Sequence, residues 1–265
     1  MIDLHCHILP GLDDGAKDWD QSLAMAQMAV DDGITDMVCT PHWVPGKYEN
    51  SRSEILPCLD CFRDSILAAS IKLHLYPGAE LRLDLTLPQR IKAGELLTIN
   101  DGGKYVLIEL PDESLPEHLD EFFWGMEMQG MKPIISHVER NAILRQHPNL
   151  LFQWVERGYL TQITAASLLD EFSEEIRQFS IQLIEHRLAH MLVSDAHGLK
   201  TRKPKLSEAR KVIEGIAGAE VARLMTYETP KRVLEGKYVD PLEPLPLRRS
   251  TRKRSFFDRL FMLRP

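Results

Sequence analysis

Short apolar runs alternate along the chain with longer amphipathic stretches, and each apolar run ends in polar residues. Short runs rich in β-branched residues indicate buried strands, whereas longer stretches with helical spacing indicate amphipathic helices. Strands are predicted over residues 2–6, 35–39, 72–76, 105–110, 133–136, 159–163 and 191–194. Helices are predicted over residues 19–32, 52–69, 117–129, 150–157, 173–187, 207–215 and 219–225.

This repeating strand–helix order implies parallel strands, which form either a closed barrel or an open, doubly wound sheet. Gly33, Gly130 and Gly158 each lie where a predicted helix must end before the next strand. Glycine in these positions is typical of a left-handed helix C-terminus. The pattern therefore predicts an α/β fold.

Two histidines stand at the end of the predicted first strand. His5 and His7 are separated by one residue, so both side chains leave the strand on the same face. Two imidazoles in this position can bind one metal ion. Such a pair also occurs on surface strands without a metal, so the other predicted strand ends must decide between the two interpretations.

Residues able to bind a metal follow or end most of the other predicted strands. In parallel α/β folds, the carboxyl ends of the strands share one rim, where active sites usually form. Any one of these residues could be structural, as a packed histidine or a paired carboxylate. A set of nine such residues at corresponding strand ends is harder to explain in this way and favours a metal site. The candidates are His5, His7, Asp14, His42, Glu80, Glu109, His137, Asp195 and His197.

The candidate set contains five histidines and four carboxylates, with no thiolate. Nitrogen and oxygen ligands of this kind are typical of a site for manganese, iron or zinc ions. They are less typical of a structural zinc site, which usually contains cysteine thiolates. The set is too large for one ion, but it fits two or three ions that share a bridging carboxylate. Such centres activate water and clamp phosphoryl oxygens, so we predict metal-assisted hydrolysis of a phosphoester.

Two arginines lie close to these candidates in the sequence. Arg140 comes three residues after His137, and Arg202 comes five residues after His197. A guanidinium group offers a planar fork to phosphate oxygens and stabilises the charge that develops during phosphoryl transfer. We predict that both arginines bind the substrate phosphate, the alternative being surface salt bridges.

The composition fits one catalytic domain of barrel size. The chain has 265 residues, of which 44% are hydrophobic and 27% are charged. A net charge of −7 argues against a nucleic-acid partner. The sequence contains no apolar stretch long enough for a membrane span and no signal-like N-terminus, so we predict a cytoplasmic protein.

The sequence changes character after Lys237. We predict a catalytic domain over residues 1–237, followed by a proline-containing linker and a basic, aromatic tail over residues 238–265. Basic residues followed by phenylalanines and leucines favour a short helix that binds a membrane surface or a partner. A solvated tail is the alternative. The sequence leaves the oligomeric state open.

The complete set of motifs resembles the polymerase and histidinol phosphatase (PHP) superfamily. The resemblance rests on the His5-x-His7 start, Asp14 in Asp-Asp-Gly, His42 in Thr-Pro-His and Glu80 in Gly-Ala-Glu. It is completed by Glu109, His137-Val-Glu-Arg140 and Ser-Asp195-Ala-His197. Within this superfamily, the chain is most similar to the manganese-dependent protein-tyrosine phosphatases of bacterial capsule and exopolysaccharide loci.

The resemblance implies a distorted (β/α)7 barrel, of the same general type as the TIM barrel, with three Mn²⁺ ions. It assigns the first ion to His5, His7, Glu80 and Asp195. It assigns the second to Glu80, Glu109 and His137, and the third to Asp14, His42 and His197, with Glu80 as the bridge. Arg140 and Arg202 match the phosphate-binding arginines of the family.

The implied substrate is phosphotyrosine on the C-terminal tail of a membrane-bound bacterial tyrosine autokinase, which would be the partner protein. The four cysteines are not needed for this chemistry. Neither Cys6 nor Cys39 is followed by the arginine that thiol-dependent tyrosine phosphatases place six residues later, and Cys58 and Cys61 lie in a predicted helix.

Three other functions remain open at this point. A small-molecule phosphatase of the histidinol-phosphate type would use the same metal chemistry. A proofreading nuclease is disfavoured by the acidic composition. A non-catalytic metal-binding regulator would have no use for Arg140 and Arg202.

Overall fold

The first strand, β1 (Ile2–Cys6), is buried along its whole length. Ile2 and Leu4 pack into a hydrophobic cluster, and the strand carries the first two histidines to its carboxyl end. The structure is a computed structural model and describes residues 1–112, 114–169 and 171–247.

Ten strands form two sheets within the described residues. After β1, the strands are β2 (Asp36–Cys39), β3 (His42–Val44), β4 (Tyr48–Glu49), β5 (His74–Pro77), β6 (Glu80–Arg82), β7 (Tyr105–Glu109), β8 (Lys132–Ile135), β9 (Leu160–Thr164) and β10 (Met191–Val193). One sheet has the order β1-β2-β5 and the other the order β10-β9-β8-β7-β6-β3-β4. All pairs are parallel except β3 with β4.

The two sheets meet where β1 approaches the end of β10. The Asp195 backbone N–H donates to the His5 carbonyl (2.9 Å), and the His7 N–H donates to the Ala196 carbonyl (3.0 Å). Asp3 accepts hydrogen bonds from the Ser194 backbone (3.1 Å) and hydroxyl (2.5 Å). The predicted barrel-like α/β fold is confirmed, and the first and last strands lie side by side.

The helices begin with α1 (Trp19–Asp31). The others are α2 (Arg52–Ala68), α3 (Leu87–Lys92), α4 (Leu119–Glu127), α5 (Ala142–Gln146), α6 (Pro148–Glu156), α7 (Ala165–Leu168), α8 (Glu174–Glu185), α9 (Ser207–Ala217), α10 (Ala219–Arg223) and α11 (Thr229–Leu234). All seven predicted helices are present. The short helices α3, α5, α7 and α11 were not predicted, because four to six residues are too few to show a helical period.

The three strands missing from the prediction are β3, β4 and β6, each two or three residues long. His42 was expected to follow the second strand and Glu80 the third. Instead, each residue begins a new strand after a break, at Pro41 and at Gly78 respectively. At both breaks the chain passes from the three-stranded sheet to the larger one.

The C-terminal part of the described chain packs against the barrel. Val233, Leu234 and Val239 join the cluster that contains Ile2 and Leu4, at the end of the strands opposite to the histidines. Residues 238–247 form no helix or strand, and Leu247 is buried in the main hydrophobic cluster. The basic, aromatic part of the predicted tail lies outside the described residues. Among the helices that are described, none is long and apolar enough to cross a membrane.

Candidate metal centre

The structure brings all nine predicted metal ligands and both predicted arginines together at the carboxyl ends of the strands. Three groups of nitrogen and oxygen atoms there can each hold a metal ion, with the atoms of each group within 4.8 Å of one another. The groups share members, so they form one continuous centre. The first is His5, His7, Glu80 and Asp195, the second is His42, Glu80 and Glu109, and the third is His7, Asp14, His42 and His197.

The first group is buried beneath the cavity and has the same four members that the resemblance implied. The Nε2 atoms of His5 and His7 are 3.1 Å apart. Glu80 Oε2 lies 3.2 Å from His5 Nε2 and 3.5 Å from His7 Nε2. Asp195 Oδ1 lies 3.3 and 3.4 Å from the same two nitrogens. Four ligand atoms therefore surround one point.

The second group differs slightly from the implied set because His42 lies within it. His42 Nδ1 is 3.1 Å from Glu80 Oε2 and 3.9 Å from Glu109 Oε2. His137, which was implied for this position, approaches the same carboxylates: its Nε2 is 2.9 Å from Glu80 Oε1 and 3.8 Å from Glu109 Oε1. His42 and Glu80 are register partners of β3 and β6, which explains their proximity.

The third group lies nearest to solvent and also takes in His7. Asp14 Oδ1 is 3.5 Å from the Nε2 atoms of both His42 and His197. The His7 and His197 rings stack with their centroids 4.0 Å apart. The Asp14 side chain remains 46% exposed, so this group opens to the cavity.

The surroundings of the Glu80 carboxylate are those expected for a metal ligand rather than for a hydrogen-bonded carboxylate. Both its carboxylate oxygens are buried, and neither has a hydrogen-bond partner among the described residues, although four histidines approach within 3.5 Å. An ionised carboxylate buried without hydrogen bonds is costly. Several imidazole nitrogens and a carboxylate that surround one position are the arrangement expected around a divalent ion.

The electrostatics favour the ionised form of Glu80 and Asp195. Burial alone would raise the pKa of Glu80, but the nearby His5 and His137 lower it well below its ordinary value. Burial also opposes the ionisation of Asp195, yet Arg140 and His5 hold its pKa well below the usual range. Glu109 differs, because burial and the neighbouring charge of Glu80 raise its pKa. Divalent ions would relieve that repulsion.

Asp195 links the histidines to the two arginines. Its Oδ1 atom faces His5 and His7, while its Oδ2 atom is 2.8 Å from Arg140 Nη1 and 3.4 Å from Arg202 Nη1. Both arginines line a cavity of about 210 Å³ above the ligand atoms. The cavity therefore presents two guanidinium groups directly beside the candidate metal positions.

Three residues of this centre have a backbone conformation that is unusual for residues other than glycine. His137, Asp195 and Arg202 are non-glycine residues with φ values of 28°, 48° and 43°. Such conformations are costly for residues with a side chain, and they are frequent at functional sites. His137 and Asp195 turn the chain just after β8 and β10, Arg202 lies in the loop that follows β10, and all three side chains line the cavity.

The sequence of residues 1–235 matches the family model described as capsular polysaccharide synthesis, CpsB/CapC. The chain belongs to the CpsB/CapC family. The tyrosine-protein phosphatase YwqE of Bacillus subtilis is 37% identical over 249 residues, which cover 94% of this chain and 97% of that protein. The tyrosine-protein phosphatase CpsB of Streptococcus agalactiae is 26% identical over 244 residues, covering 90% and 100%.

Solved structures agree with this membership in the CpsB/CapC family. The fold matches a crystal structure from work on YwqE of Bacillus subtilis and CpsB of Streptococcus pneumoniae, described as metal-dependent tyrosine phosphatases. The TM-score is 0.90 at 36% identity, over 94% of this chain and 100% of the other. Histidinol phosphate phosphatase of Lactococcus lactis, at 13% identity, has a TM-score of 0.53 over 85% and 94% of the chains, which shows a shared fold alone.

Three residues that position the centre of this CpsB/CapC chain were not predicted from the sequence. Asp13 Oδ2 is 2.7 Å from His7 Nδ1 and accepts a hydrogen bond from the His42 backbone. Gln162 Oε1 is 3.1 Å from His5 Nδ1. Arg82 Nε is 3.0 Å from Glu109 Oε2. Arg82 could have been found, because it follows Glu80 by two residues and so shares its face of the strand.

The loop that carries Asp13 and Asp14 depends on the glycine that follows them. A Cβ atom at Gly15 would lie 2.1 Å from the His7 carbonyl oxygen, so the loop can pass this close to β1 only with glycine. The Ala16 N–H donates to that same carbonyl at 3.0 Å. The Asp-Asp-Gly motif of the CpsB/CapC chain therefore fixes both carboxylates beside His7.

Proposed function

We propose that this chain is a manganese-dependent protein-tyrosine phosphatase that acts on the phosphotyrosine tail of a bacterial tyrosine autokinase in capsular or exopolysaccharide synthesis. The observation that carries the proposal is a cavity that is lined by two arginines and lies over three overlapping groups of candidate metal ligands. The similarity to tyrosine-protein phosphatases over nearly the whole chain supports the substrate class.

In this proposal, His5, His7, Glu80 and Asp195 hold one ion. His137 joins Glu80 and Glu109 at a second, and Asp14, His42 and His197 hold a third. Bound divalent ions activate water and neutralise charge on phosphoryl oxygens. Nitrogen and oxygen ligands suit Mn²⁺, and iron or zinc would fit the same set.

The protein groups orient the phosphate and stabilise its charge. Arg140 and Arg202 offer guanidinium donors to the non-bridging oxygens, and Asp195 holds both arginines in place through Oδ2. Asp195 is buried and ionised, so the arginines remain aligned without substrate. Their positive charge opposes the charge that develops as tyrosinate leaves.

A thiol nucleophile does not fit this cavity. Burial raises the pKa of Cys6 well above its ordinary value and also raises that of Cys39. A thiol of this kind is protonated and weakly nucleophilic at neutral pH. Cys58 and Cys61 lie on α2, and no cysteine is among the described residues that line the cavity.

The test is hydrolysis of a phosphotyrosine peptide by metal-stripped protein before and after Mn²⁺ is restored, beside the His5→Ala, His7→Ala double variant. We expect activity that requires Mn²⁺ and is absent from the variant. Histidinol phosphate serves as the competing substrate. Faster turnover of histidinol phosphate than of the peptide would contradict the protein-phosphatase assignment.

The hydrogen bond from His7 to Asp13 gives a second prediction. Asp13→Ala should weaken Mn²⁺ binding by about 10–100-fold, because a carboxylate partner fixes the histidine ring and raises its basicity as a ligand. Calorimetric titration of the metal-stripped protein measures this effect. Asp20→Ala, at an exposed position in α1, is the matched control. Equal Mn²⁺ affinities in the two variants would refute the role of Asp13.

We also propose that the basic tail brings the enzyme to the cytoplasmic face of the membrane, where the kinase tail would be. Leu245 donates its N–H to the His186 carbonyl at 2.9 Å, so a truncation should spare residues up to 247. A chain that ends at Leu247 should keep its phosphatase activity and lose binding to anionic vesicles. Undiminished vesicle binding would contradict a membrane role for the tail.

A further inference from the structure

The β3–β4 hairpin supplies the apolar part of the cavity lining. Most residues around the cavity are charged or are histidines, and only Val44 and Tyr48 offer aliphatic or aromatic surface among the described lining residues. Val44 and Tyr48 are register partners of the antiparallel strands β3 and β4. Partners of this kind project on the same face of a hairpin, so the two side chains form one apolar wall.

His42 aligns this wall with the candidate metal centre. It precedes Val44 by two residues on β3, so both side chains lie on the same face. The Tyr48 and His42 rings are nearly parallel, with an angle of 10° and centroids 5.8 Å apart. The wall is therefore in direct contact with a residue that approaches Glu80 within 3.1 Å.

The hairpin is held firmly from its other face. Trp43, which alternates with His42 and Val44, is buried, and the Arg90 guanidinium lies over its ring at 5.3 Å. The Asn50 amide donates to the carbonyls of His42 (2.9 Å) and Leu12 (2.8 Å). Tyr48 is thus placed by a supported strand pair, and its partial exposure leaves ring surface available to a ligand.

We infer that Tyr48, together with Val44, is the specificity-determining surface that receives the aryl ring of the substrate. The inference rests on the proposed function. Arg140 and Arg202 would hold the phosphate, while the phenyl ring of phosphotyrosine packs against Tyr48. A phosphoserine side chain is too short to cover this wall, so it would gain nothing from it. The ammonium group of Lys47 lies 4.7 Å from the Tyr48 ring centroid and, being exposed, can move aside.

Two phosphonates test this inference without turnover. Calorimetry with the manganese-loaded protein would compare phenylphosphonate with methylphosphonate, which share the anionic group and differ in the ring. In Tyr48→Ala, the preference for phenylphosphonate should fall about tenfold, the value expected for one ring–ring contact. Tyr48→Phe should keep the preference, and so should the control Tyr227→Ala, which lies outside the cavity.

Three results would overturn the inference. The first is an unchanged preference in Tyr48→Ala. The second is an equal loss of affinity for both phosphonates, which would mean that Tyr48 only supports His42. The third is a loss of preference in Tyr48→Phe, which would assign the effect to the hydroxyl group. If the wild-type protein binds phenylphosphonate selectively but does not hydrolyse a phosphotyrosine peptide, the proposed function fails while the role of Tyr48 stands.

Discussion

Replacing Glu80 with glutamine should lower the manganese-dependent hydrolysis of a phosphotyrosine peptide by about a thousandfold or more. Glu80 belongs to two of the three ligand groups, and its oxygens lie within 3.5 Å of four histidines. Glutamine keeps the shape of the side chain but removes the charge that a bridge between two cations requires. The loss should therefore appear in metal content as well as in rate.

Two measurements show whether the loss of activity is accompanied by a loss of bound metal. Elemental analysis of the purified variant should show fewer ions per chain than in the wild type. Thermal unfolding should show a smaller rise in Tm on Mn²⁺ addition, because a ligand stabilises the folded state in proportion to its affinity for it. Glu121→Gln, at an exposed site on α4, is the control and should behave as wild type. A Glu80→Gln enzyme with full metal content and more than a tenth of the activity would disprove the bridging role.

The convergence of the candidate ligands at strand ends could be predicted from the sequence because their positions follow from the parallel α/β order. β1 begins and ends where its pattern predicts, and His5 and His7 leave it together. Asp195 follows β10 in the same way. Once the strands are parallel, their carboxyl ends must share a rim, so convergence of distant residues needs no further information.

The identity of neighbours within the rim could not be predicted in this way. His42 and Glu80 are adjacent because the chain leaves the three-stranded sheet at two breaks and begins β3 and β6 in the larger one. Strands of three residues show no period, so the sequence does not reveal that shift. As a result, His42 was separated from the group of Glu80 and Glu109, which it joins in the structure.

The supporting residues were missed for a different reason. Asp13 stands next to Asp14, and both are carboxylates in a loop, so residue type alone cannot say which one faces the ring of His7 and which one faces the cavity. Tyr48 lies on β4, a two-residue strand whose pairing with β3 is visible only in three dimensions. Residues that orient others act through contacts between distant parts of the chain, which the linear pattern does not encode.

Arg140→Lys should reduce kcat/KM for the phosphotyrosine peptide by about a hundredfold while metal content stays unchanged. Arg140 Nη1 makes the shorter contact with Asp195 Oδ2, 2.8 Å against 3.4 Å for Arg202. Its side chain is also the less exposed, at 19% against 29%. A lysine keeps the charge but loses the planar fork that contacts Asp195 and, in the proposed function, would also bind the phosphate, so part of the transition-state stabilisation should be lost.

Steady-state kinetics and inhibition by inorganic phosphate would check this prediction. Phosphate should bind the Arg140→Lys enzyme more weakly, and Arg202→Lys should show the same change to a smaller degree because its contact is longer and more exposed. Arg157→Lys, at an exposed ion pair with Asp120, is the matched control. If Arg140→Lys retained the wild-type KM and phosphate inhibition, Arg140 would act on Asp195 alone. The phosphate would then be held by Arg202 and the metal ions.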